Sequence, residues 1–171
     1  MLHAENSPGA ERAHGGSRWD VVRPGVFLYG VSAGAVLPAE PVAHLRARIV
    51  DVRDVRDGET VSYGATWTAR GARRIATVAA GYADGYRRAL SNRGVALLHG
   101  RAVPVAGRVT MDMTMLDVTD VACDVGDVVT LIGRDGEAVL TVGDVAERAE
   151  LSPYELLTGL RLRVPHFHHD A

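Results

Sequence analysis

The stretch Gly126-Asp127-Val128-Val129-Thr130-Leu131-Ile132-Gly133 decides the fold class. It is a short apolar, β-branched run closed by glycine at each end, the pattern of a buried strand. Beyond Asp135-Gly136, a turn signal, Ala138-Val139-Leu140-Thr141-Val142 reads as a second strand. Upstream, Val95-Ala96-Leu97-Leu98 and Ala102-Val103-Pro104-Val105 flank a His99-Gly100 turn and read as a hairpin. Pro104 has no N–H to give to a ladder, so it requires an edge or a bulge. Residues 43–54 alternate Leu45, Ala47 and Ile49 against Arg46 and Arg48, as a half-exposed strand does. Arg74 to Ala80 reads as another strand, and Arg108 to Val118 carries a further alternation of Met111, Met113 and Met115. Asp57-Gly58 is a turn, and Gly81-Tyr82-Ala83-Asp84-Gly85-Tyr86 a structured one. Val26-Phe27-Leu28-Tyr29-Gly30 reads as a short buried strand and residues 1–18 as loop.

Helix signals come late. Thr141-Val142-Gly143-Asp144 has capping-box spacing. Ser152-Pro153-Tyr154-Glu155 places Ser as N-cap and Pro at the first helical position, with an end near Gly159. Residues 160–165 read as a final strand. His166, His168 and His169 follow in a terminal segment prone to fray, so no metal is assigned to them. The chain is thus mainly β, a small barrel-like or sandwich-like domain with one or two short helices. Gly34, Pro38 and Pro41 mark a linker over 31–42, and a domain boundary is expected near 38–42.

Composition narrows the function classes. With 171 residues and 47% apolar content the chain can bury a sizeable core. A formal net charge of −2 gives no reason to expect nucleic acid or an anionic membrane as partner. One cysteine, Cys123, excludes an internal disulfide and suits a reducing compartment. No apolar run is long enough to span a bilayer as a helix, and no secretion signal is expected at the N-terminus. The cationic side chains other than histidine are all arginine. There is no lysine, hence no side-chain amine for a Schiff base.

No phosphate-binding glycine loop of the common kinds and no structural-zinc spacing is present. Cys123 lacks the context of a nucleophile. The stretch Val61-Ser62-Tyr63-Gly64-Ala65-Thr66-Trp67 sets a phenol between Ser and Gly. A phenol has a reference pKa of about 10 and works as acid or base only with help from its surroundings. On its own, Tyr63 reads as a half-buried strand tyrosine with a satisfied hydroxyl. The methionine stripe reads as core filler.

Taken together, four segments say more. Val61-Ser62-Tyr63-Gly64-Ala65-Thr66, Gly81-Tyr82-Ala83-Asp84-Gly85, Gly107-Arg108-Val109-Thr110-Met111-Asp112 and Gly126 to Gly133 resemble, in order and spacing, the C-terminal domain of alanine racemases. His3-Ala4-Glu5-Asn6-Ser7 and Val22-Arg23-Pro24-Gly25-Val26 resemble the end of that family's pyridoxal-phosphate barrel. The resemblance implies a remnant of a TIM-type (β/α)8 barrel over residues 1–39 and the C-terminal β domain over 40–171. It covers nearly the whole chain, but only the last portion of a full-length family member.

The resemblance also implies roles. Tyr63 is the catalytic acid/base, acting in the partner subunit's site. Met111 offers its backbone N–H to the substrate carboxylate, with Asp112 beside it as a supporting polar residue. Tyr82, Arg88 and Arg108 line the substrate entrance. Arg23 faces the pyridine nitrogen of pyridoxal 5'-phosphate. Ser7, Gly25, Val26 and Tyr154 hold the cofactor phosphate, with Asn6 among the cofactor-binding residues. The family's second base is the Schiff-base lysine, which lies in a barrel region without a counterpart here. The expectation is a portion of a cytoplasmic, homodimeric isomerase that interconverts L- and D-alanine for the cell wall. This chain alone is expected to be inactive. The other reading is a non-catalytic module that dimerises or complements a separately encoded barrel.

Overall fold

The computed structural model describes residues 1–13, 16, 18–32, 37–160 and 163–168. Strand β1 (Leu45–Val55) is its centre. It pairs antiparallel with β4 (Arg73–Val78) on one side and β8 (Val128–Asp135) on the other. β5 (Val95–Leu98), β6 (Arg101–Pro104) and β7 (Thr114–Asp117) complete the order β6-β5-β8-β1-β4-β7. β9 (Ala138–Leu140) pairs with β8, through the hairpin turn at Asp135-Gly136. A separate two-stranded ribbon joins β2 (Thr60–Val61) to β3 (Trp67–Thr68).

Among the described residues the sheet's edges meet only at the single bridge Val105–Leu116 and the bond from Ala106 N to Met115 O at 2.9 Å, with no ladder between them, so "barrel-like" holds loosely. Pro104 sits on β6, an edge strand, where its missing N–H does no harm.

Five consecutive residues of β8 are buried, which explains its continuous apolar run rather than an alternation. Leu131 and Ile132 pack there with Ile49, Val78, Leu98 and Leu116, none above 1% exposed. Burying each such side chain is worth roughly 1.5–3 kcal/mol. A second, smaller cluster of Val55, Val61, Ala69, Ile75, Ala106 and Met115 underlies the β2–β3 ribbon, with Trp67 packed against it.

The late helices follow their capping signals. α2 (Val142–Ala149) starts at Thr141, whose hydroxyl accepts from Asp144 N while the Asp144 carboxylate accepts from Thr141 N. α3 (Pro153–Thr158) starts at Ser152, which accepts from Tyr154 N at 3.3 Å, and ends at Gly159.

Four expectations are corrected. Val26–Tyr29 is a 3-10 turn, not a buried strand. Gly30 ends it at φ 82°, and Leu28 and Tyr29 point outward, so four apolar residues misled because so short a run carries no period. Residues 1–18 are not all loop: Ser7–Ala13 form helix α1, started by Asn6, whose side-chain oxygen accepts from Gly9 N. The alternation over 108–118 forms a strand only from Thr114; its first half is held in turns by the Thr110 hydroxyl, which bonds Met113. In the expected strand 160–165, the described residues are irregular, and 161 and 162 lie outside the described residues, as does His169. In the lead, Asn6 and Arg23 form a parallel bridge, and each is followed by a helical segment.

Candidate functional site

Tyr63 lies on no strand. It opens a 3-10 turn, Tyr63–Ala65, at the tip of the β2–β3 ribbon. The backbone there is strained. Ser62 adopts φ 67°, ψ 179°, a region nearly reserved for glycine, and Ala65 also has positive φ at 49°. Such residues cost about 1–3 kcal/mol each and persist only where neighbours hold them. The neighbours are specific. The Ser62 hydroxyl donates to Arg108 O at 2.8 Å. A Cβ on Gly64 would lie 3.1 Å from the Arg108 guanidinium carbon, and one on Gly107 would lie 2.6 Å from Val61 O. Asn92 donates to Thr66 O and Oγ1 and accepts from Gly107 N at 2.7 Å. The result is a tyrosine 73% exposed, its hydroxyl without a hydrogen bond among the described residues. A half-buried, satisfied strand tyrosine is not what forms.

A second group assembles around Gly81. Tyr82 N donates to Thr110 O at 2.9 Å and Ala83 N to Met111 O at 3.0 Å. A Cβ on Gly81 would come within 2.3 Å of Thr110 O, so only glycine admits this approach. Tyr82, Met111 and Asp112 are thereby brought together on the surface, at 40% exposure for Tyr82 and 52% for Met111. The Met111 N–H has no hydrogen-bond partner among the described residues. Asp84 closes the turn by accepting from Gly81 N at 2.9 Å and pairs with Arg163 at 3.1 Å. Arg163 also pairs with Asp112. Arg88 stands exposed at the start of the next 3-10 turn, Arg88–Leu90.

The third group joins the two ends of the chain. Asn6, Arg23, Pro24, Gly25, Leu28 and Tyr154 line an open cavity of about 500 Å³. Arg23 donates to Ala4 O at 3.3 Å. A Cβ at Gly25 would meet nothing within 4 Å, so its backbone faces open space. Ser7 and Val26 lie buried behind this wall, where the Ser7 hydroxyl accepts from Phe27 N at 3.3 Å. Among the described residues the lining offers a guanidinium, a phenol and an amide, and no carboxylate. That donor set fits a phosphorylated pyridine such as pyridoxal 5'-phosphate. Tyr63, Tyr82, Arg88, Arg108, Met111 and Asp112 do not line this cavity.

Sequence reasoning missed three positioning residues. Asn92 adopts φ 57°, a conformation asparagine tolerates, and Ser91-Asn92-Arg93-Gly94 is the turn-like signal that could have flagged it. Arg87 donates to Glu155 O at 2.6 Å, bracing the helix that bears Tyr154. Arg163 acts across a long separation and leaves no local pattern.

The family described as "Alanine racemase, C-terminal domain" matches residues 42–168. An alanine racemase of Sorangium cellulosum is 41% identical over 177 residues, covering 99% of this chain and 46% of that protein. The alanine racemase of Streptomyces coelicolor superposes with a TM-score of 0.87 at 34% identity, over 95% of this chain and 44% of that one. That of Bartonella henselae, solved with covalently bound pyridoxal phosphate, superposes with a TM-score of 0.84 at 32% identity, over 94% of this chain and 45% of that one. The chain thus spans somewhat under half the length of the relatives it matches.

Proposed function

This chain belongs to the alanine racemase family, and from that premise we propose that it provides the tyrosine acid/base of a racemase site completed by another polypeptide. The observation that carries the reading is Tyr63 itself: an exposed phenol, unbonded among the described residues, on a strained loop that Arg108, Asn92 and Gly107 brace. An outward-facing residue on a strained loop held this firmly is organised for a partner, not for its own core.

Each residue then has a task. Tyr63 moves a proton to or from one face of the alanine α-carbon through its hydroxyl oxygen. The free Met111 N–H donates to the substrate carboxylate, and Tyr82, Arg88 and Arg108 line the approach. Arg23 donates from a guanidinium that keeps its proton, so it orients a ring nitrogen without protonating it. Tyr154 and the Gly25 backbone, with Ser7, Val26 and Asn6 around them, hold an anionic group. When bound, pyridoxal 5'-phosphate supplies the electron sink that acidifies the α-carbon.

Racemisation needs a second base on the opposite face. The family's is a lysine, and none of the 171 residues is lysine. The chain by itself is therefore inactive, and its partner is a barrel carrying that lysine, either in a homodimer of a longer chain or separately encoded. Residues 1–39 complete the barrel edge and 40–171 form the β domain. The setting is the cytoplasm, where D-alanine is made for the cell wall. No helix of the described residues is long and apolar enough to cross a membrane.

The reading is tested by combining the chain with a family barrel that carries the lysine but no C-terminal domain. The mixture should exchange the α-hydrogen of L-alanine for solvent deuterium. Exchange no faster than with the barrel alone rejects the proposal.

A further inference from the structure

Two acidic residues flank the place assigned to a substrate carboxylate. Asp112 follows Met111 directly, and Asp84 belongs to the turn whose amides bind Thr110 O and Met111 O. Two carboxylates so close to a carboxylate-binding N–H would repel the ligand it is meant to hold. Arg163 answers both. Its Nε lies 3.1 Å from Asp84 Oδ1, and its Nη2 donates to Asp112 Oδ1. Among the described residues no other cation pairs with either aspartate. Asp84 is also fixed from its other oxygen, which accepts from Gly81 N at 2.9 Å.

The Asp84 carboxylate is largely buried, with 13% of its side chain exposed, whereas Asp112 and Arg163 are about half exposed at 51% and 49%. The guanidinium therefore caps a buried acid and a surface acid at once. The planar fork of arginine suits two acceptors in different directions. Arg163 sits beyond helix α3, so it also ties the segment after Tyr154 to the Gly81 turn.

We propose that Arg163 is a charge-compensating, positioning residue of the Met111 carboxylate site: it cancels the field of Asp84 and Asp112 and fixes the turn that aims the Met111 N–H. This rests on the reading of Met111 given above. It adds a residue whose effect is on carboxylate affinity and not on proton transfer. Because the compensation is electrostatic and partly exposed, its effect fades as salt rises.

The test is a titration of the full 171-residue chain with sodium acetate at constant ionic strength, following the Met111 amide by ¹⁵N NMR. In the native sequence acetate should shift that amide. Arg163→Gln should weaken acetate about threefold to tenfold. Adding Asp112→Asn to Arg163→Gln should restore most of the loss, and about 1 M salt should erase the difference. Arg163→Lys, which keeps the charge but not the fork, should lose clearly less affinity than Arg163→Gln. A purely structural arginine would not be rescued by removing a charge elsewhere. Unchanged affinity in Arg163→Gln, no recovery in the double variant, or a loss in Arg163→Lys equal to that in Arg163→Gln overturns the proposal. Absence of any acetate shift at Met111 in the native sequence overturns the Met111 reading itself, and this inference with it. Should Arg163→Gln lose its dispersed amide spectrum, the lysine variant and an Asp112→Asn single variant decide, the latter binding acetate at least as tightly as the native chain.

Discussion

The Ser62 hydroxyl donates to the Arg108 carbonyl oxygen at 2.8 Å, and this one bond pins a backbone conformation that serine ordinarily avoids. It joins the Ser-Tyr-Gly stretch to the Gly-Arg-Val-Thr-Met-Asp stretch, two motifs separated by more than forty residues. Replacing Ser62 with alanine removes the bond and leaves the strain. We expect a loss of about 1 kcal/mol in unfolding free energy, read by urea titration. In a reconstituted enzyme the looser loop should lower kcat more than it changes KM.

Tyr63→Phe should behave in the opposite way. The side chain is 73% exposed and its hydroxyl bonds nothing among the described residues, so stability should stay within about 0.5 kcal/mol of the native value. Catalysis in the reconstituted enzyme should fall about a hundredfold to ten-thousandfold, the range for losing a positioned acid/base. A destabilised but active variant would reverse both halves of this expectation.

Gly81 should tolerate no side chain. A Cβ there would approach Thr110 O to 2.3 Å and Met111 O to 2.5 Å, and backbone cannot swing aside as a side chain can. Gly81→Ala should cost about 1–3 kcal/mol, by analogy with overpacked cores. Gly25→Ala is the control, since a Cβ there meets nothing within 4 Å. Thermal unfolding of the two variants should separate clearly.

The strand pattern was largely legible. β8 announced itself by β-branched residues between glycines, and the Thr141 and Ser152 caps gave both late helices. What failed was local ambiguity. Val26 to Tyr29 is too short to carry a period, and the Asn6 cap was hidden in a Gly- and Ala-rich segment. Of the site, the resemblance named residues that the structure does gather: Asn6, Arg23, Gly25 and Tyr154 at one cavity, Tyr82 with Met111 and Asp112 at one turn. Arg163, Arg87 and Asn92 escaped because their contacts join distant segments, and no spacing encodes a pair such as Asn92 with Thr66.

His44 gives a pH prediction. Its imidazole packs over Gly133 and accepts from Arg134 N at 3.4 Å. Burial first, then Arg46 and Arg134, push its pKa below the ordinary 6.5. A folded value below the unfolded one means the fold favours the neutral ring. Its contribution is intact above about pH 6.5 and is lost as pH falls through the lower folded value. Urea midpoints at about pH 7.5 and about pH 5 should therefore differ more for the native chain than for His44→Asn.

The lead should be the weakest part of this chain. Leu2, Leu28 and Tyr29 are 67%, 63% and 56% exposed, apolar surface open to solvent. Brief trypsin treatment should cut at Arg12 or Arg18 before any site between β1 and β8. Equal protection of both regions would contradict a lead that depends on a partner.

On the proposed function, Tyr63 serves a site this chain does not complete alone. The most direct measurement is racemisation of L-alanine by the purified chain, by a lysine-bearing family barrel, and by their mixture, each with pyridoxal 5'-phosphate and free of host racemase. Neither part should turn over L-alanine, the mixture should, and replacing Tyr63 with phenylalanine should abolish that turnover. Turnover by the chain alone, or a mixture in which Tyr63→Phe is as active as the native sequence, would contradict it.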